Sequence, residues 1–170
     1  MHNEVYEFVA KCVTGVDFTE KRVLEIGSKN VNGTVKTLFG GAFYLGIDLL
    51  PGKDVDLVIG ANDFSKLEFW KNTFEYCVSA EALEHCPDPL DILICAIECL
   101  KPGGKFIVTA AAPNRTPHRA DGEAGDPAEN GEFYANVDPK ELEDWLWAVR
   151  FVGIEVSQVG DGVQGTAIKP

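Results

Sequence analysis

No apolar run in this 170-residue chain approaches the roughly 20 residues that a membrane-spanning helix needs. The start, Met1-His2-Asn3-Glu4, lacks the basic n-region and apolar h-region of a secretory signal. Both absences point to a cytoplasmic protein with no membrane partner. Basic residues are scarce: 15 Lys and Arg stand against 27 Asp and Glu, for a net charge of −12. Broad binding to nucleic acid or anionic lipid depends on Lys and Arg, so neither is an expected partner. The cysteines, Cys12, Cys77, Cys86, Cys95 and Cys99, are odd in number and contain no CxxC pair. They are expected to be reduced, buried thiols. A zinc site combining Cys95 and Cys99 with His85 and Cys86 would match no common ligand spacing, and no metal is assigned. Internal repeats, linkers and low-complexity tracts are also missing.

What remains is an ordinary globular composition, 45% apolar and 25% charged, in a length that suits one domain over residues 1–170. The spacing of Val5, Phe8, Val9 and Cys12 predicts a helix over 3–14. Strand-like runs follow at 22–26, 42–47, 55–59, 74–79 and 105–111. Between them lie a helical turn at 34–39, a short turn capped by Asp63, and a helix over 90–100. That helix has Leu90, Leu93, Ile94, Ile97 and Leu100 on its apolar face and is stopped by Lys101-Pro102-Gly103-Gly104. Residues 113–136 are polar, rich in Pro and Gly, and without apolar periodicity, which marks a functional or disordered loop. Asp138-Pro139 caps a last helix reaching about Arg150, with Leu142, Trp145, Leu146 and Val149 inward. Two closing strands flank Gly160-Asp161-Gly162, a connection too short for a crossover, so they form an antiparallel hairpin. Alternating strands and helices predict a mainly parallel sheet covered on both faces.

Ligands of such sheets sit at the carboxyl ends of the strands. Val23-Leu24-Glu25-Ile26-Gly27-Ser28 is the run that would end there. A dinucleotide fold wants G-x-G-x-x-G at this point. Gly27-Ser28-Lys29-Asn30-Val31-Asn32 lacks the later glycines, and Glu25 would repel a pyrophosphate, so a nicotinamide dehydrogenase is disfavoured. A carboxylate there suits a cationic or amine-bearing ligand. Asp48 ends the second strand about 20 residues further on, where a carboxylate can accept two hydrogen bonds from a ribose diol. Asn62-Asp63-Phe64 follows the third strand. Asp63 can either accept from an adenine amino group or simply cap the next turn.

Four segments in order then resemble the class I S-adenosylmethionine-dependent methyltransferases of the small type 11 group. These are Val23 to Gly27, Tyr44 to Asp48, the stretch Ser79-Ala80-Glu81-Ala82-Leu83-Glu84-His85-Cys86-Pro87-Asp88-Pro89, and Leu100 to Gly104. The chain departs from the group's usual E-x-G-x-G-x-G at Lys29 and Val31, with Gly33 two residues beyond. The resemblance implies a Rossmann-like three-layer α/β/α sandwich around a seven-stranded, mostly parallel sheet with an antiparallel last strand. It implies S-adenosylmethionine as cofactor and a methyltransferase acting on a small-molecule or carrier-bound acceptor. The alternative is a cofactor-binding regulatory protein of the same fold without transfer activity. Carried over, the roles fall to Glu25, Gly27, Ser28 and Gly33 around the amino-acid part of the cofactor. Asp48 would hold the ribose, with Leu49, Asn62, Asp63 and Phe64 around adenine. Ala80, Glu81 and His85 would lie near the sulfonium. His85 either stitches the loop after the fourth strand beside the cofactor or serves as a general base. His118 is the second catalytic candidate. It sits with Arg115 and Arg119 in the one compact basic cluster, either an anionic-substrate handle or a solvated loop.

Overall fold

The structure is a computed structural model and describes residues 3–121 and 125–170, without the Phe64 side chain. The elements are α1 (Asn3–Val13), β1 (Arg22–Ile26), β2 (Phe43–Asp48), β3 (Leu57–Val58), α2 (Phe64–Leu67), β4 (Phe74–Ala80), α3 (Pro89–Cys99), β5 (Leu100–Ala111), α4 (Pro139–Ala148), β6 (Val152–Val159) and β7 (Gly162–Ile168). Short 3-10 turns occupy Lys36–Phe39, Glu68–Trp70, Leu83–His85 and Pro127–Asn130. The seven strands form one sheet in the order β3-β2-β1-β4-β5-β7-β6. Pairings from β3 through β5 are parallel, and β7 runs antiparallel to both β5 and β6. The expected hairpin closes the sheet. No helix among the described residues is long and apolar enough to cross a membrane.

The order places a topological switch between β1 and β4. From β1 the chain moves outward to β2 and β3, then returns to β4 and moves the other way. The carboxyl ends of β1 and β4 therefore diverge into a crevice. Alternation along β1 decides what lies on each face. Leu24 and Ile26 join the larger apolar cluster, with residues of α3 and α4 such as Leu93, Leu142 and Leu146. Val23 joins the smaller one, with Val9 and Val13 of α1 and Phe39 of the 36–39 turn. The helices begin with matched signals. Asp88 accepts from the Leu90 N–H at 3.2 Å, Asp138 accepts from the Lys140 N–H at 2.7 Å, and a proline follows each cap.

Three expectations are corrected. The fifth strand, expected at 105–111, spans Leu100–Ala111, its pairing with β4 shifting register between Phe74 and Tyr76. The third strand shrinks from 55–59 to Leu57–Val58, both exposed at the sheet edge. The Asp56 N–H still donates to the Gly46 carbonyl at 2.9 Å, but its carboxylate takes the Gly46 N–H at 2.8 Å, where a ladder carbonyl would otherwise accept. The buried face of α3 is Ile92, Leu93, Cys95, Ala96 and Cys99, whereas Leu90, Ile94 and Ile97 are only half-buried. Small Cys and Ala side chains let the helix approach the sheet more closely than its larger residues would, so packing overrides a ranking by hydrophobicity. Cys77, Cys95 and Cys99 are buried, Cys12 and Cys86 half-buried, and all five are free thiols.

Candidate functional site

Beyond β1 the backbone turns sharply over the end of β2. The N–H groups of Gly27 and Ser28 both donate to the Ile47 carbonyl, at 2.9 and 3.0 Å. Gly27 has φ +81, and a Cβ there would lie 2.5 Å from the Ala82 Cβ. Only glycine fits both constraints. The following loop is held by carboxylates. Asp48 accepts from the Lys29 N–H through one oxygen and from the Leu50 N–H through the other, both at 3.0 Å. The Asn30 amide donates to Asp54 at 2.6 Å and its oxygen accepts from the Gly33 N–H at 2.9 Å.

A cavity of about 650 Å³ opens at these strand ends, within the range of small-molecule sites. Glu25, Gly27, Ser28, Gly33, Asp48 and Leu49 line it from β1, β2 and their loops, and Asn62, Ala80, Glu81 and His85 from beyond β3 and β4. His118 joins them from the 113–136 segment together with Arg115 and Phe133, so that segment supplies a wall of the cavity. Leu49 and Leu50 are 69% and 54% exposed, apolar surfaces left open at its rim. Asp63 does not line the cavity. It accepts from the Ser65 hydroxyl at 2.8 Å and pairs with Lys66 at 2.6 Å, as a turn-stabilising residue does. Phe64 was expected at the adenine; its side chain lies outside the described residues.

The carboxyl groups of the site are strongly desolvated. Glu25 is 4% exposed and accepts from the Tyr44 hydroxyl at 2.9 Å. Burial pushes its carboxyl up to about 8, and the Tyr44 hydrogen bond pulls only partly back. The Ser28 hydroxyl is buried with no partner. Glu81 follows β4 directly at φ +58, a costly conformation for a non-glycine residue. One of its oxygens pairs with Arg115 at 2.5 Å; the other is buried without a partner. Glu84 is fully buried, and burial followed by the neighbouring Glu81 charge pushes it up to about 8. Burial and the His118 ring hold His85 down to about 4. The rings of His85, His118 and Tyr134 pack edge-to-face in a trio, 5.1 to 5.3 Å between centroids.

Sequence reasoning missed three features here. Arg115 and Arg119 do not present free charge: Arg115 pairs with Glu81, and Arg119 with Asp121 and Glu132. Glu81 lies 34 residues from Arg115, so no local pattern reveals that pair, whereas Asp121 is two residues from Arg119. Glu84 reads as a polar turn residue but is buried, its Oε1 accepting from the Ala111 N–H at 3.2 Å. Tyr134 sits in a stretch without periodicity, and its approach to His85 becomes visible only in three dimensions.

The methyltransferase domain family matches residues 1–156. No curated protein matches the sequence. Among solved structures, the chain is similar to the Haemonchus contortus phosphoethanolamine N-methyltransferase 2 complexed with S-adenosyl-L-methionine, at 16% identity and a TM-score of 0.67. The alignment covers 99% of this chain and 52% of that one, so the chain spans about half that enzyme's length. It is similar to the Burkholderia thailandensis 1,6-didemethyltoxoflavin-N1-methyltransferase, solved with 1,6-didemethyltoxoflavin and S-adenosylhomocysteine, at 16% identity and a TM-score of 0.70 over 98% and 77% of the two chains. A Mesorhizobium loti S-adenosylmethionine-dependent methyltransferase aligns at 14% identity and a TM-score of 0.69 over 96% and 97%. The match over most of the sequence, on a sheet of this order, shows that the chain belongs to the methyltransferase domain family, with the class I S-adenosylmethionine-dependent fold.

Proposed function

We propose that this chain is a methyltransferase that uses S-adenosylmethionine and acts on a small-molecule or carrier-bound acceptor. The observation that carries the reading is the cavity at the β1/β4 switch, where desolvated carboxyls meet an apolar rim in a family of methyltransferase domains. When bound, the cofactor supplies an electrophilic methyl group on a sulfonium cation. The residues present fit such a group. The backbone of Gly27 and Ser28, with no Cβ at 27 to block approach, would take the amino-acid part. Asp48 would accept from the ribose hydroxyls, since each of its oxygens keeps a lone pair beyond the loop N–H it already holds. Leu49 would pack on adenine, with Asn62 at its edge. Ala80 and Glu81 would lie beside the sulfonium, and His85 near it.

Transfer to a ready nucleophile needs alignment and exclusion of water more than a catalytic dyad. The 113–136 segment, which walls the cavity, would supply the acceptor contacts. Small acceptors are favoured because the Burkholderia relative was solved with one in place. Calorimetric titration with S-adenosylmethionine, S-adenosylhomocysteine and NAD tests the reading. The first two are expected to bind and NAD is not; failure of both sinks it. Asp48→Ala is expected to lower affinity roughly 10- to 100-fold, from loss of hydrogen bonds to a charged acceptor. Near-wild-type affinity would refute the ribose assignment. A transfer screen with methyl-labelled cofactor then identifies the acceptor.

A further inference from the structure

Where the turn Leu83–His85 meets the 113–136 segment, Glu84, His85 and His118 each bring a ligand-capable atom within 4.8 Å of the others. Around a tetrahedral ion with ~2.1 Å bonds such atoms stand about 3.4 Å apart, so modest closure would suffice. Two further observations point to a ligand. Glu84 is fully buried; its Oε1 is oriented by the Ala111 N–H, and its Oε2 has no partner. The Nδ1 of His85 is also buried without a partner. A buried polar atom left unsatisfied is costly, and two in one cluster call for an explanation. The surroundings are built as the outer shell of a metal site is built. A backbone N–H fixes the carboxylate, and the Tyr134 ring packs against both imidazoles and limits their rotation.

We propose that Glu84, His85 and His118 form a site for a divalent first-row transition cation of the zinc or cobalt type. Two imidazoles and one carboxylate suit such ions and not magnesium or calcium, which prefer oxygen alone. Three protein ligands leave a coordination position open, and both histidines line the cavity. That position would take water or an oxygen of the bound acceptor, a role that rests on the proposed methyl transfer. The cation site itself does not depend on that reading.

The test is calorimetric and visible-absorption titration of the chelator-treated protein with cobalt chloride and zinc chloride, without cofactor. One equivalent is expected to bind, with visible cobalt bands free of thiolate charge transfer, and zinc is expected to raise the melting temperature. His118→Ala, on the 113–136 segment, is expected to weaken binding at least tenfold and abolish the zinc-induced stabilisation while the variant still folds. Glu84→Gln is expected to weaken binding similarly, and Cys86→Ser to leave it unchanged. Absence of stoichiometric binding, undiminished binding by His118→Ala, or loss of binding in Cys86→Ser would each overturn the proposal. Cofactor titration on the same preparation separates this failure from failure of the methyltransferase reading.

Discussion

Glu25 should make the protein less stable as the solution approaches neutrality, and Glu25→Gln should remove that dependence. In the folded chain its carboxyl titrates near 8, against an ordinary 4.5. Burial at the end of β1 is the main cause. Below pH 4.5 the group is protonated in both folded and unfolded chains, and its contribution is fully present. Between 4.5 and 8 the unfolded chain releases the proton while the folded chain retains it, so stability falls as pH rises. The two values are about 3.5 apart on the pH scale, which corresponds to roughly 5 kcal/mol across the window and about 3 kcal/mol between pH 5 and 7. Gln keeps the carbonyl oxygen that accepts from Tyr44 and nearly the same volume, so the substitution removes titration and little else. Urea unfolding of both proteins at half-unit steps from pH 5 to 8 gives the difference directly. The difference cancels Glu84, which titrates in the same window in both. Glu25→Gln should gain on the wild type steadily as pH rises. Parallel curves would show that Glu25 ionises normally and is better solvated than its surroundings indicate.

Two other substitutions probe the scaffold of the site. Gly27→Ala adds a Cβ 2.5 Å from that of Ala82 at φ +81. Left-handed strain and overpacking together cost roughly 2–4 kcal/mol, so a thermal melt should fall by about 5–15 °C; an unchanged melt would mean that the turn relaxes freely. Asp138→Ala removes the side chain that accepts from the Lys140 N–H at 2.7 Å. It should cost about 1 kcal/mol in chemical denaturation while Asp138→Asn costs little, and equal losses in the two would show that capping is not the cause.

The sheet was legible because its signals are local. β1 appears at its expected residues, and β2, β4, α1 and α4 within one or two of theirs, since period, proline and cap all agree at those places. The edge strand at 57–58 and the buried face of α3 were less so. At the edge a side-chain carboxylate competes with the ladder, and on the helix the volume of Cys and Ala outweighs their modest hydrophobicity. The floor of the site was legible for the same local reason, because Glu25, Gly27 and Asp48 are fixed by their places at strand ends. The wall contributed by 113–136 was not. Arg115 finds Glu81, and His118 finds His85, across more than thirty residues of chain. Such pairings obey burial and charge rather than sequence spacing.

The loop after β1 shows how the missing glycines are accommodated. In a glycine-rich turn the backbone closes in because its own residues carry no side chains. Here the need for glycine is transferred to the neighbouring segment. A Cβ on Gly46 would lie 2.4 Å from the Asp54 carbonyl and 2.6 Å from the Ser28 hydroxyl. One on Gly52 would lie 2.8 Å from Cγ of Lys29, whose stem passes over it. Lys29 stands where the usual pattern carries a glycine, with its stem over the bare residue 52, and Asn30, Asp48 and Asp54 supply the hydrogen bonds that fix the loop. Close approach between the loop and its surroundings is kept while the side chain and the gap exchange places. The turn at Gly27 cannot be exchanged in this way, because its φ of +81 and the Ala82 contact act on the same residue. That is the physical reason the first glycine of the pattern stands here while the later ones do not.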